Sequence, residues 1–464
     1  MENKALKSGI WYVIANFLMK GVTFLTTPIF ARLLTHSEYG LFNNYTSWLS
    51  ALTVVITLNL DATFISAKFD FKEKFDEYIL STIVLSSFSG VFWLIIILLF
   101  PNQISAITGI DNKYLLIMIV YLIALPAVNM FQSRERYSYK YKISVFLSLF
   151  ITISTAVVSI ILVTNLEDRL DGRILGSAIP TIIVGALLYI FIVIKGKRIN
   201  YRYWKYALPV CLPFIPHLLS LTLLNTMDRM MITQICGSED TALYSIAYTC
   251  GTIITLLITA MNGAIAPWLG QKLSEERIDE IRSISKKYIL LFVSLASGLM
   301  LITPEILLLM GGKSYLDAIY VMPPVAFGCV CQFMYTMYVN VEQFKKKTIG
   351  MGIASVSAAL LNYGLNYWLI PKFGYIAAAY TTLISFLWLL LVHMFLVRRI
   401  GYRRVYPTKF VLLVTLAMSI YTVLVNFLYG LTIIRYVIIG IYIILLIYFI
   451  VKYKSVIMRL IKRG

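Results

Sequence analysis

Within an apolar stretch of helical length, residues 221–235, an aspartate and an arginine stand side by side, Asp228 and Arg229, with Asn225 one turn before them. An ionised side chain at the centre of a bilayer costs roughly 2.5–3.5 kcal/mol on insertion scales. Two roles fit such a pair: an ion pair that fixes helix packing, or a pathway for a polar solute. Other apolar stretches carry similar groups. At about 100° per residue, Asn16, Lys20, Thr23 and Thr27 fall on one side of a helix. Lys20 lies near mid-depth, too deep to reach a headgroup easily. It either pairs with Asp61 or Asp228 or stands as a cation awaiting an anionic ligand.

Further stripes comprise Ser50, Thr57 and Asp61; Tyr248, Thr255, Thr259 and Asn262; and Ser355, Asn362 and Asn366. Polar stripes also glue membrane helices together, at about 0.6 kcal/mol per hydrogen bond. Any one of them serves as glue; their recurrence favours a lined cavity. Catalysis finds little purchase. His36, His217 and His393 are far apart and none has a metal-spaced neighbour. There is no G-x-S-x-G elbow, Walker A sequence or Gly-rich phosphate loop. The sequence therefore leads us to expect a non-enzyme without cofactor or metal.

These residues must be positioned by membrane-spanning helices. The 464 residues are 59 % hydrophobic and only 14 % charged, and mean hydropathy is +0.81; that composition excludes a water-soluble globular class. A span needs about 20 mostly apolar residues. Fourteen are expected, near residues 8–33, 42–66, 78–100, 114–133, 143–164, 174–194, 206–235, 242–268, 287–310, 319–341, 349–370, 375–397, 409–428 and 434–451. The five cysteines lie in or at the ends of these runs and read as small buried hydrophobes. The N-terminal apolar run is too long for a cleavable signal peptide and lacks a small-residue cleavage site.

The net charge of +19 is sorted by loop. Thirty-two of the 41 Lys and Arg fall in alternate loops beginning with Lys4 and Lys7 and ending in a tail from Lys452 to Arg463, against seven in the opposite loops; Lys20 and Arg229 are the two within spans. The positive-inside rule then puts both termini in the cytoplasm, and topology explains the charge without nucleic acid. The chain also reads as a repeat. "SEYGLF" at residues 37–42 resembles "SEDTALY" at 238–244, with Gly40, Leu41 and Phe42 on Ala242, Leu243 and Tyr244 at an offset of 202, and "GRILGSA" at 172–178 resembles "GYIAAAY" at 374–380 at the same offset. The expected fold is an all-α polytopic membrane protein: a six-helix lobe at 1–200, a second at 201–400, and two further helices with a basic cytoplasmic tail at 401–464. Two such lobes share an axis along the membrane normal and hold a central cavity between them. Thr27-Pro28 in span 1, and Pro209, Pro213 and Pro216 in span 7, mark expected helix breaks near that cavity.

Residues 212–268 and 362–385, together with 28–45 and 311–328, resemble Wzx-type polysaccharide repeat-unit flippases of the multidrug/oligosaccharidyl-lipid/polysaccharide exporter superfamily. The resemblance runs over nearly the whole chain. It implies a carrier in a bacterial plasma membrane that turns over undecaprenyl-pyrophosphate-linked oligosaccharide for assembly of a capsule or O-antigen type polymer. Membrane lipids surround it, and a polysaccharide polymerase and assembly proteins are implied partners. It also implies a cationic cavity for the anionic head, with Lys20, Arg32 and Arg229 the matching candidates. Coupling to membrane potential, H+ or Na+ stays open, and Asp61 and Asp228 are the carboxylates that could titrate. The rivals are a drug or organic-cation antiporter on the same architecture, a membrane-embedded glycan polymerase or acyltransferase, and a scaffold subunit of an assembly complex.

Overall fold

The structure, a computed structural model, describes residues 2–138 and 140–452. The basic tail beyond Lys452 and the side chains of Lys4 and Lys7 lie outside the described residues. Helices make up the ordered elements, and no strand occurs among the described residues. In lipid this follows from the backbone, whose N–H and C=O groups are satisfied within a helix and nowhere else. Ten helices are long and apolar enough to cross a bilayer singly, and three bent pairs bring the number to thirteen. A shorter apolar helix, Thr432–Lys452, lies where the fourteenth span was expected and is not among the thirteen that pass on length and composition. Large apolar side chains on the outer helix faces stay exposed, Phe88, Phe92, Ile95 and Leu99 of span 3 among them. That is the pattern of a surface solvated by acyl chains.

The bends fall elsewhere than the prolines suggest. Span 1 is a continuous helix, Glu2–Leu33, that runs through Pro28. The break expected at Thr27-Pro28 is therefore corrected: a membrane helix tolerates a proline when nearby hydroxyls re-satisfy its backbone, and here Thr27 donates to the Thr23 carbonyl at 2.9 Å. In span 7 a 3-10 turn, Leu212–Phe214, joins Arg202–Cys211 to Ile215–Ile235. The sharp turns lie in spans 2, 8 and 10. His36–Ile56 turns by 48° into Leu60–Asp70, Ser238–Gly251 by 42° into Ile254–Gly263, and Lys313–Tyr320 by 55° into Met322–Phe344. In span 2 the turn is made by Leu58 and Asn59, whose φ values of 56° and 47° are left-handed.

Four apolar clusters hold the bundle. Two are built from residues of the first part of the chain, around Phe64, Tyr78 and Met130 and around Tyr45, Tyr114 and Leu122. Tyr203, Ala207 and Cys211 pack into the former, so the opening of span 7 belongs with spans 2–4 and 6. A third is built from residues after 220, including Phe292, Phe327, Leu389, Val411 and Val425. The fourth is shared, with Phe30, Leu34 and Val163 against Met231, Tyr244, Met310 and Tyr315. Beside it the hydroxyls of Ser37 and Ser238 meet at 2.8 Å. The two helix starts approach so closely here that a Cβ on Gly40 would stand 1.7 Å from the Ser238 carbonyl oxygen.

That crossing is testable. Gly40→Leu forces the backbones apart and should cost about 1–3 kcal/mol, seen as a lower melting temperature of the detergent-extracted protein. Gly364→Ala, where no atom lies within 4 Å of the new Cβ, should leave the melt unchanged or slightly raised.

Candidate functional site

Adjacent helical residues point about 100° apart, and Asp228 and Arg229 do not pair. Asp228 is 1 % exposed. Its carboxylate accepts hydrogen bonds from Asn366 Nδ2 at 2.7 Å, from Thr382 Oγ1 at 2.6 Å, and from the hydroxyl of Tyr244. The network continues inward. Asn366 Nδ2 also reaches Asn362 Oδ1 at 3.3 Å, Asn362 Nδ2 donates to Thr382 Oγ1 at 3.1 Å, and Thr381 donates to Asn366. Span 7 is thereby clamped to spans 8, 11 and 12.

With Asp228 turned into protein, Arg229 faces the other way. Its guanidinium lies over the Tyr248 ring, 4.6 Å from the centroid. Nε donates to Ser245 Oγ at 3.2 Å and Nη1 to the Asn225 carbonyl at 3.2 Å. Among the described residues no carboxylate pairs with it.

Tyr248 and Asn225 line a cavity of about 300 Å³ whose other walls come from spans 8, 10 and 12, and into which span 1 contributes Lys20. Lys20 is exposed and, among the described residues, pairs with neither Asp61 nor Asp228. Asn16 lies beside it in an adjoining cavity of about 420 Å³ that Lys20 and Thr259 also line. Arg229 sits one layer behind the Tyr248 ring rather than in the wall itself. Lys20, Asn16, Asn225 and Arg229 are thus gathered at one place where span 1 meets spans 7 and 8.

The other expected site residues lie elsewhere. Asp61 accepts from Ser133 at 3.2 Å, at the break of span 2. Arg32 donates to the Leu309 carbonyl at 2.8 Å, at the end of span 1. Asn262 accepts from Asn340 at 2.8 Å. Asn362 and Asn366 are fully buried in the Asp228 network, so they reach the cavity only through Thr382, which lines it.

The wall has a definite hydrogen-bonding sense. Thr252, Thr255 and Thr259 each give their hydroxyl hydrogen to a backbone carbonyl of their own helix, at 3.2, 2.6 and 2.9 Å, and Thr382 gives its own to Asp228. Lone pairs remain for a ligand there. Donors come from Lys20 and from Gln332, a polar residue in an apolar helix that the stripe argument passed over. The sequence reading also missed a buried pair between spans 10 and 12, His393 Nδ1 to Glu342 Oε1 at 2.8 Å. Nothing in the spacing of those two residues announces it.

Comparison with known proteins bears on the family and the fold. The family model described as polysaccharide biosynthesis protein matches residues 5–273, and the model described as MatE matches 213–368. A protein of the Lsg locus of Haemophilus influenzae is 23 % identical over 353 residues, covering 73 % of this chain and 84 % of that protein. A second membrane protein of the same organism is 22 % identical over 373 residues, covering 77 % and 89 %. Among solved structures, the lipid II flippase MurJ in an inward closed conformation superposes with a TM-score of 0.67 at 16 % identity, covering 97 % of this chain and 100 % of that one. An inward-facing multidrug resistance MATE transporter of the MOP superfamily gives 0.63 at 14 % identity, covering 90 % and 94 %.

The Asp228 network should behave as structure. Asn366→Ala removes one donor from a buried carboxylate and should cost about 1–3 kcal/mol, read as a lower melting temperature and lower abundance in the membrane. Asn225→Ala, exposed on the cavity side, should stay within about 0.5 kcal/mol of wild type.

Proposed function

The chain belongs to the polysaccharide biosynthesis protein family of MOP-type flippases, and we propose that it moves undecaprenyl-pyrophosphate-linked oligosaccharide from the cytoplasmic to the outer leaflet of a bacterial plasma membrane. The observation that carries the reading is one cavity with Lys20 in its wall, a second cation without a carboxylate partner, Arg229, against the Tyr248 ring that lines it, and threonines that present hydrogen-bond acceptors. A lipid-linked glycan brings both complements, phosphate oxygens for the cations and hydroxyl hydrogens for the wall.

Transport proceeds by alternating access between two six-span lobes, residues 1–200 and 201–400, with 401–464 as an appendage. The contact between Ser37 and Ser238, like residues of two like segments, supports a two-fold relation between the lobes. A cavity of about 300 Å³ is at the small end for ligand pockets, so the lobes part to admit a glycan. With the cell interior negative, outward movement of the anionic head is favoured by roughly 2.3 kcal/mol per charge per 100 mV. Coupling to an H+ or Na+ gradient would act through a carboxylate, Asp61 or Asp228. Flipping in vesicles that ignored both ion gradients and membrane potential would remove the coupling. The basic loops set both termini in the cytoplasm, and the polymer served is of the capsule or O-antigen class.

An organic-cation antiporter on the same architecture would offer carboxylates to its cavity. Here the nearest one, Asp228, spends its oxygens on Tyr244, Asn366 and Thr382.

Deletion of the gene should leave lipid-linked repeat units on the cytoplasmic leaflet, detected by leaflet-selective labelling. Lys20→Ala and Arg229→Ala should each cut export about tenfold or more with abundance near wild type. Export and abundance falling together would favour a purely structural role for both cations.

A further inference from the structure

At the end of the bundle that carries the basic loops, away from the Lys20 cavity, spans 9, 12 and 13 line a third cavity of about 530 Å³. Six of its lining residues are cationic: Arg282, Lys286, Arg398, Arg403, Arg404 and Lys409. No Asp or Glu lines it. The contrast with other basic clusters is plain. Lys272 and Arg277 are neutralised by Glu275 and Glu280, and Arg134 by Asp76 and Glu135. Among the described residues none of the six is paired with a carboxylate. Like charges gathered at one place repel, and the arrangement is relieved by an anion.

The cavity is held in shape. Tyr406 is buried, donates to the Met337 carbonyl at 3.0 Å and packs on the Tyr338 ring at 4.9 Å, which pins the loop carrying Arg403 and Arg404. Arg282 Nη1 reaches the Arg404 carbonyl at 3.5 Å. Span 13, Thr408–Leu428, begins at the cavity with Pro407 as its N-cap and no side-chain cap, so free N–H groups and the positive end of a helix face the same space. From Leu413 in the cavity wall a stripe of exposed apolar residues, Leu416, Ile420, Leu424 and Phe427, runs along span 13 at helical spacing.

We propose that this cavity binds the phosphate headgroup of an anionic phospholipid of the surrounding bilayer, with the acyl chains lying along the span 13 stripe. Guanidinium groups grip phosphate oxygens through paired N–H donors, and basic pockets between membrane helices recognise anionic headgroups in this way. The stripe is what selects an amphiphile over a soluble phosphate. A lipid seated here bridges span 13 to spans 9 and 12. The site is separate from the substrate cavity and does not depend on the substrate proposed above.

The test uses the purified full chain in neutral detergent, with phosphatidylglycerol, phosphatidylcholine or inorganic phosphate added, and reads bound lipid by native mass spectrometry together with the melting temperature. Wild type should bind phosphatidylglycerol about tenfold or more tightly than phosphatidylcholine, the equivalent of roughly one or two basic contacts. The triple variant R403Q/R404Q/K409Q should lose that preference, and the single variants should show graded loss. A control that removes charge from another basic loop, K195Q/R198Q, should keep it. Equal binding of the two lipids, or a preference retained by the triple variant, would overturn the proposal. So would displacement of phosphatidylglycerol by millimolar inorganic phosphate, which would reassign the cavity to a soluble anion.

Discussion

A carboxylate withdrawn from water must be given hydrogen bonds or a counter-charge, and the second half of this chain is assembled around giving them to Asp228. The donors come from spans 8, 11 and 12, so a single buried oxygen pair fixes the rotation of span 7 against three neighbours at once. Fixing that rotation decides where the next residue goes. Arg229 then leaves about 100° around the helix, still against span 8 but over the Tyr248 ring, with Asn225 one turn below it. The placement of a cation beside the cavity is thus a consequence of satisfying an anion in the packing. Span 1, continuous through Pro28, then brings Lys20 to the same place from the other side.

How much of this the residues announce depends on the range over which the cause acts. That the chain is a bundle of apolar helical spans was legible because the cause is local: a bilayer sets the length of an apolar run. That polar groups would cluster near residues 225–229 and 20 was legible for the same reason, since an isolated charge in a greasy run needs an explanation. The bends were not. Pro28 suggested a break and was accommodated, whereas the turn in span 2 rests on left-handed backbone at Leu58 and Asn59, which no proline or glycine flags. Partners were legible least of all. Asn366 and Thr382 lie 138 and 154 positions from Asp228, and Glu342 meets His393 across 51. Asn362 and Asn366, read as cavity lining, belong to the clamp behind it because their helix presents that face to span 7. The basic cavity at the loop end joins two separated segments, 282–286 and 398–413, each reading as an ordinary positive flank.

The four threonines of the cavity wall carry a consequence for selectivity. Each hydroxyl has one hydrogen, and all four are already aimed at protein oxygens. A guest touching this surface must therefore supply the shared protons itself. A guest rich in hydroxyls does so at each position, whereas one that brings only acceptor oxygens is left to the donors of Lys20 and Gln332. The threonine face thus sorts guests by the number of protons they can lend it.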